Sequence, residues 1–223
     1  MEQKMDKQKL IERKERAGQV VAVLKELFPE AKIALQYKAH WEMLVAVILS
    51  AQCTDKKVNE VTATLFKKYP TLDHYVNADP TEFEKDIKPT GFYRNKTKNI
   101  LATSKIIKEK YNGVIPNTME ALLSLPGVAR KTANIVLGNA YGIVKGIAVD
   151  THVKRLSTKL DLTDNTNPDK IEQDLMQILP KEEWFALTYR LIEYGRQICP
   201  ARKHPCENHP LSKIYPPSAT IWP

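Results

Sequence analysis

Lys131 and Asp150 are the side chains whose types and settings best suit covalent chemistry. Lys131 follows the turn Leu125-Pro126-Gly127-Val128-Ala129-Arg130 and heads the apolar stretch Thr132 to Ala140, while Asp150 opens Val149-Asp150-Thr151-His152. A lysine amine is a nucleophile able to form a Schiff base, and a carboxylate stabilises positive charge that develops as a bond to the attacked carbon breaks. Each also has a plainer reading. An exposed lysine is usually a solvated charge, and Asp-Thr is a common start to a helix, with the aspartate as its N-cap.

The elements that must position Lys131 are two helices and the turn between them. Asn117 is placed to cap the first helix, with Glu120 three residues later reaching back toward the cap. That helix should end at Pro126-Gly127. Gly127 has no Cβ, so the backbone can take a positive φ and approach another chain segment closely, and the second helix should begin at Val128 or Ala129. A helix N-terminus presents uncommitted N–H groups and partial positive charge, which suit a phosphate oxygen; a hairpin that grips phosphate holds DNA without reading its sequence. Thr132 to Ala140 is apolar nearly all round, which places this helix centrally and sets Lys131 at the mouth of a cleft.

Apolar residues recur at helical spacing elsewhere too, at Leu10 and Val20 to Leu27, Leu44 to Leu49, Val61 to Phe66, and Ile100 to Ile107. Strand-like alternation is nearly absent. Fourteen prolines punctuate the chain at helix-boundary intervals. The fold class is therefore all-α. The charged opening, Met1 to Arg16, reads as a solvated helix face, and no repeat or low-complexity tract is visible.

Composition excludes several classes. The chain has 223 residues, 43% hydrophobic and 27% charged, ordinary for a folded protein with one large core or two small ones. Lys and Arg outnumber Asp and Glu by 34 to 26, a net charge of +8 that favours polyanions such as DNA. No apolar run approaches the roughly 20 residues of a membrane span, and no signal-peptide core is visible, so an intracellular location is expected. Three cysteines, Cys53, Cys199 and Cys206, make no disulfide framework and fit a reducing compartment, with Cys53 a buried thiol.

The Leu125 to Ala133 segment followed by Val149-Asp150-Thr151-His152 resembles the helix-hairpin-helix and Gly/Pro-Asp signature of the endonuclease III family of DNA glycosylases. Leu49-Ser50-Ala51-Gln52-Cys53-Thr54-Asp55 and Thr90-Gly91-Phe92-Tyr93-Arg94-Asn95-Lys96 resemble two further family segments, so the resemblance runs from about Phe28 to Cys206. It implies two helical domains flanking a DNA-binding cleft. One is a six-helix domain over 33–143, with the helix-hairpin-helix at about 117–141; the other is built from 1–32 plus 144–223. Lys131 and Asp150 would be catalytic: the aspartate stabilises the sugar cation as the base departs, and the amine attacks C1′. Gln52 and Phe92 would wedge into the duplex, although an aromatic ring read alone is more simply core. DNA contacts would come from Gln52, Gly91, Phe92, Tyr93, Gly127, Val128, Ala129, Arg130 and His152.

The implied activity is excision of damaged, oxidised pyrimidines with cleavage of the abasic site, on double-stranded DNA, by a monomer. A mismatch or oxidised-purine glycosylase of the same superfamily, or a DNA-binding module using the hairpin as a clamp, are the alternatives. Two departures stand out. Most family members hold an iron-sulfur cluster on four cysteines; here Cys199 and Cys206 take the first two places, His209 the third and Tyr215 the fourth, so no cluster and no other cofactor is expected. A zinc set of Cys199, His204, Cys206 and His209 matches no established zinc spacing, and the tail with Tyr215, Ile221 and Trp222 would pack there instead. Ala129 stands where the hairpin usually has a second glycine, and a left-handed backbone there would cost on the order of 1 kcal/mol.

Overall fold

The structure is a computed structural model that describes residues 6–222, and every regular element among them is helical. They form two compact units, one from Met1–Ile33 with Gly146–Pro223, the other Ala34–Lys145.

The unit over Ala34–Lys145 carries α2 (His40–Leu49), α3 (Asp55–Lys68), α4 (Leu72–Val76), α5 (Pro80–Ile87), α6 (Tyr93–Tyr111), α7 (Met119–Leu123) and α8 (Arg130–Tyr141). Eight consecutive residues of α2, Glu42 to Leu49, are buried, as are Thr132 to Leu137 of α8, and these two helices pack together as the unit's spine. Helices buried all round need no amphipathic stripe. Edge-to-face and tilted aromatic contacts among Trp41, Tyr69, Tyr75 and Phe83 fill the space beside α4 and α5. Caps follow local chemistry: Thr54 accepts from Lys57 N–H, and Asp79 accepts from Glu82 N–H. At α7 the cap is Thr118, whose hydroxyl accepts from Ala121 N–H at 3.3 Å, and not Asn117. The two residues are adjacent polar candidates, and one step of register decides between them.

The other unit holds α1 (Lys7–Leu27), α9 (Thr151–Lys159), α10 (Pro168–Ile178), α11 (Trp184–Gln197) and α12 (Pro210–Ile214). Its core joins Ala17, Val20 and Leu24 of α1 to Val153, Leu156, Ile171, Leu175, Leu187, Leu191 and Tyr194. The expected solvated face at the start of α1 fails at Arg13, which is 1% exposed and pairs with Asp161 at 2.6 Å and Asp164 at 2.8 Å. Arg16 also pairs with Asp161 and lies 4.3 Å from the Tyr215 ring centroid. These two guanidinium groups grip the turn after α9, where Asp161 holds a positive φ of 47°. Met1 to Met5 lie outside the described residues.

Candidate active site and nucleic-acid interface

The hairpin that carries Lys131 is built on Gly127. Its φ is +76°, and a Cβ there would fall 2.8 Å from Asn99 Cβ of α6, so both backbone angle and close packing demand glycine. Thr103 on the same helix donates to Pro126 O at 2.8 Å and fixes the turn from below. Val128 is buried, and its N–H is committed to Leu125 O at 3.2 Å, so this residue of the expected phosphate loop locks the turn. Ala129 has φ −94° and ψ 172°, an extended N-cap that any residue adopts, so the missing second glycine carries no strain. With alanine at that position, the first turn of α8 receives no side-chain cap. Lys131 is exposed at the head of a buried helix, with no hydrogen bond or ion pair among the described residues. An anchored backbone below an uncommitted amine is the arrangement a nucleophilic lysine needs.

Two other loops of this unit present the residues expected to wedge into DNA, and both hold them in left-handed backbone: Gln52 at φ 52° and Phe92 at φ 48°. Non-glycine residues pay for that conformation, and such strain gathers at functional sites. Gln52 sits in the turn after α2, closed by Cys53 N–H to Ser50 O at 3.1 Å. Gly91 and Phe92 link a 3-10 turn, Lys88–Thr90, to the start of α6, with Gly91 at φ 69° and ψ 162°, a region open only to glycine. Phe92 is 63% exposed, so the core reading of its ring is ruled out. Tyr93 follows, half-buried beside the Arg94 guanidinium. Cys53, expected to be a buried thiol, is half-buried, because it lies in the turn beyond the apolar part of α2.

Lys96 joins the two loops, a role absent from the sequence-based expectations. It is 4% exposed, and its ammonium donates to Leu49 O at 2.8 Å and Thr90 O at 2.7 Å. Leu49 lies just before the Gln52 turn and Thr90 just before Gly91-Phe92. Burial lowers its pKa from the usual lysine value, an effect the nearby Cys53 partly opposes. The signal was its register: Lys96, Ile100, Thr103 and Ile107 form one buried stripe of α6.

In the other unit Asp150 is the N-cap of α9, one carboxylate oxygen accepting Val153 N–H at 2.8 Å. That bond pins the carboxylate and leaves its second oxygen without a bond among the described residues. His152 is half-buried against α11, where a Cβ on Gly195 would meet its Nδ1 at 2.4 Å; it packs inside this unit as well as following the aspartate.

The C-terminal loop does not match a four-cysteine cluster. Cys206 is buried and its thiol donates to Ala219 O at 3.5 Å, while Tyr215, at the fourth place, packs on the core and against Arg16. Cys199, His204 and His209 instead bring their donor atoms within 4.8 Å of one another. Burial, with His204 and Lys159 adding to it, pushes the His209 imidazole below its usual pKa. Of the tail, Trp222 packs on His204 and Tyr215 on the core, while Ile221 is 37% exposed.

An all-helical chain with a glycine hairpin below a lysine and a capped aspartate soon after it defines a class, and residues 45–181 match the HhH-GPD superfamily of base excision DNA repair proteins. Endonuclease III of Synechocystis is 47% identical over 208 residues, covering 93% of this chain and 95% of that protein. Endonuclease III of Bacillus subtilis is 46% identical over 190 residues, 85% of this chain and 86% of that protein. A solved non-covalent endonuclease III–DNA complex superposes with a TM-score of 0.86 at 41% identity, covering 90% of this chain and 94% of that one; a trapped endonuclease III–DNA covalent intermediate matches with the same figures. The chain belongs to the endonuclease III family of this superfamily. No helix among the described residues is long and apolar enough to cross a membrane.

Proposed function

We propose that Lys131 is the nucleophile through which this chain excises damaged bases, oxidised pyrimidines first among them, and that Asp150 is its electrostatic partner. The chain is a base-excision-repair DNA glycosylase with abasic-site lyase activity, acting on duplex DNA that carries damaged bases or abasic sites. In the proposed course Asp150 stabilises positive charge on the sugar as the base leaves, and the Lys131 amine bonds C1′. Ring opening gives an iminium; loss of a C2′ proton then expels the 3′ phosphate, and the strand is nicked. The damaged nucleotide must first leave the stack, at a cost of a few kcal/mol. Gln52 and Phe92 fill the gap, an amide toward the orphan base and a flat apolar ring between steps. The hairpin around Gly127, Ala129 and Arg130 holds phosphate.

The observation that carries this reading is an uncommitted, exposed Lys131 on a locked hairpin, in a chain closely similar to an enzyme trapped covalently on DNA. A monofunctional glycosylase or a DNA clamp has no use for the amine as a nucleophile. We place the protein on the nucleoid or in the cytoplasm, as a monomer, without an iron-sulfur cluster. The test is Lys131→Ala on a duplex with a single thymine glycol: strand cleavage should be lost while binding persists. A variant that still cleaves, or that loses only salt-sensitive affinity from a protein with no cleavage to lose, contradicts the proposal.

A further inference from the structure

The loop after α11 gathers three electron-pair donors, and two of them, both ring nitrogens, make no hydrogen bond among the described residues. His204 Nδ1 lies 2.7 Å from Arg202 O. A carbonyl only accepts, so Nδ1 carries a proton, and in the neutral imidazole Nε2 is the nitrogen that holds the lone pair. That Nε2 and His209 Nδ1 are both buried without a hydrogen-bond partner among the described residues. The two rings stack with centroids 5.0 Å apart and planes at 26°. Cys199 Sγ completes the group, 2% exposed, and receives Arg155 N–H at 3.7 Å.

We infer that Cys199, His204 and His209 form a mononuclear site for a borderline divalent cation of the zinc class, three protein ligands with an open fourth position. Thiolate with two neutral imidazoles is a donor set such cations take, and the tetrahedral bond lengths imply donor separations of roughly 3.3–3.6 Å, a closure of at most about 1.5 Å for atoms that all lie within 4.8 Å of one another. Outer groups are in place. Arg202 O orients His204 through its other nitrogen, the usual support for a metal-bound histidine. Arg155 clamps Cys199 through its carbonyl at 2.6 Å. Trp222 covers His204 edge-on, and Lys159 holds that ring in turn, 3.9 Å from its centroid. Cys206 is outside the set, its thiol committed to Ala219 O. The site therefore departs both from a four-thiolate cluster and from the metal-free loop the sequence suggested. It spans the loop between α11 and α12, so a bound cation would tie Cys199 to His209 across that loop, with a water free to take the open position.

The test uses the full chain, stripped with chelator and titrated anaerobically with Co2+ and then Zn2+. One equivalent of Co2+ should produce intense visible bands of four-coordinate cobalt with a near-ultraviolet thiolate charge-transfer band, Zn2+ should displace it, and one equivalent of Zn2+ should raise Tm. Cys199→Ser should abolish the charge-transfer band, His209→Gln should weaken binding at least tenfold, and Cys206→Ser should leave both unchanged. The wild-type titration stands even where a variant fails to fold. No binding at tenfold excess metal, binding indifferent to Cys199 and His209, equal dependence on Cys206, or a four-iron chromophore in the purified protein would each overturn the inference.

Discussion

Replacing Lys96 by methionine keeps the length and apolar body of the side chain but removes the donor that holds two loops together. The two bonds, to Leu49 O and Thr90 O, are charge-assisted and worth about 1.5–3 kcal/mol each before desolvation. Burial of the ammonium costs several kcal/mol and offsets much of that gain. What remains after substitution is two carbonyls without a donor, at about 1–3 kcal/mol each, less the relieved burial of the charge. The net expectation is a loss of about 1–3 kcal/mol, a fall in Tm of roughly 2–12 °C for a chain of this size. The functional loss should be larger than the loss of fold. Gln52 and Phe92 are set by the two tethered segments, and a displacement of about 1 Å can cost on the order of 100-fold in rate. Single-turnover excision from a thymine glycol duplex, measured well below Tm, reads that loss. Because the folded protein lowers the pKa of Lys96, the unfolded chain holds the proton more tightly, and the wild type gains stability as pH rises from the folded value to a free lysine's 10.5. Methionine has no such linkage, so the gap between the two proteins should widen over that window. An unchanged Tm with unchanged excision would refute the tether, and a gap that narrows with pH would refute the charge accounting.

Other outcomes follow from the same geometry. Gly127→Ala should destabilise by about 2–5 kcal/mol, combining left-handed strain with the overlap on Asn99, as a thermal melt would show; a loss under about 1 kcal/mol would mean the hairpin adjusts. Ala129→Ser should stabilise by about 0.5–2 kcal/mol, since its extended backbone suits an N-cap and α8 has none, and an unchanged melt would contradict that. Phe92→Gly should shift stability by less than about 1 kcal/mol, relief of its positive φ set against glycine's entropy, while excision from intact lesions drops; equal excision would remove Phe92 from the wedge.

The residues that local chemistry dictates were legible in the sequence. Pro126-Gly127 announced the turn, the apolar run after Lys131 announced a central helix, and Asp150-Thr151 announced the cap that the structure contains. Boundaries set by a single side chain were less so: Thr118 caps α7 although Asn117 beside it is an equally good capping residue. Features that need distant segments to meet were not legible. Arg13 reads as one charge among many until Asp161 and Asp164 come within reach, and Lys96 reads as a surface lysine until two carbonyls close on it. Cys199, His204 and His209 are evenly spaced, but only the path of an irregular loop turns their donor atoms inward while Cys206 faces elsewhere. Residue type alone could not decide whether Phe92 is core or wedge; its exposure excludes the core.

Borohydride trapping on a duplex with one thymine glycol or abasic site tests the central claim most directly. The proposal predicts a covalent protein–DNA adduct with the wild type, mapped by peptide sequencing to Lys131 and absent in Lys131→Ala. An adduct on another residue, or none from folded protein that still releases the base, would contradict it.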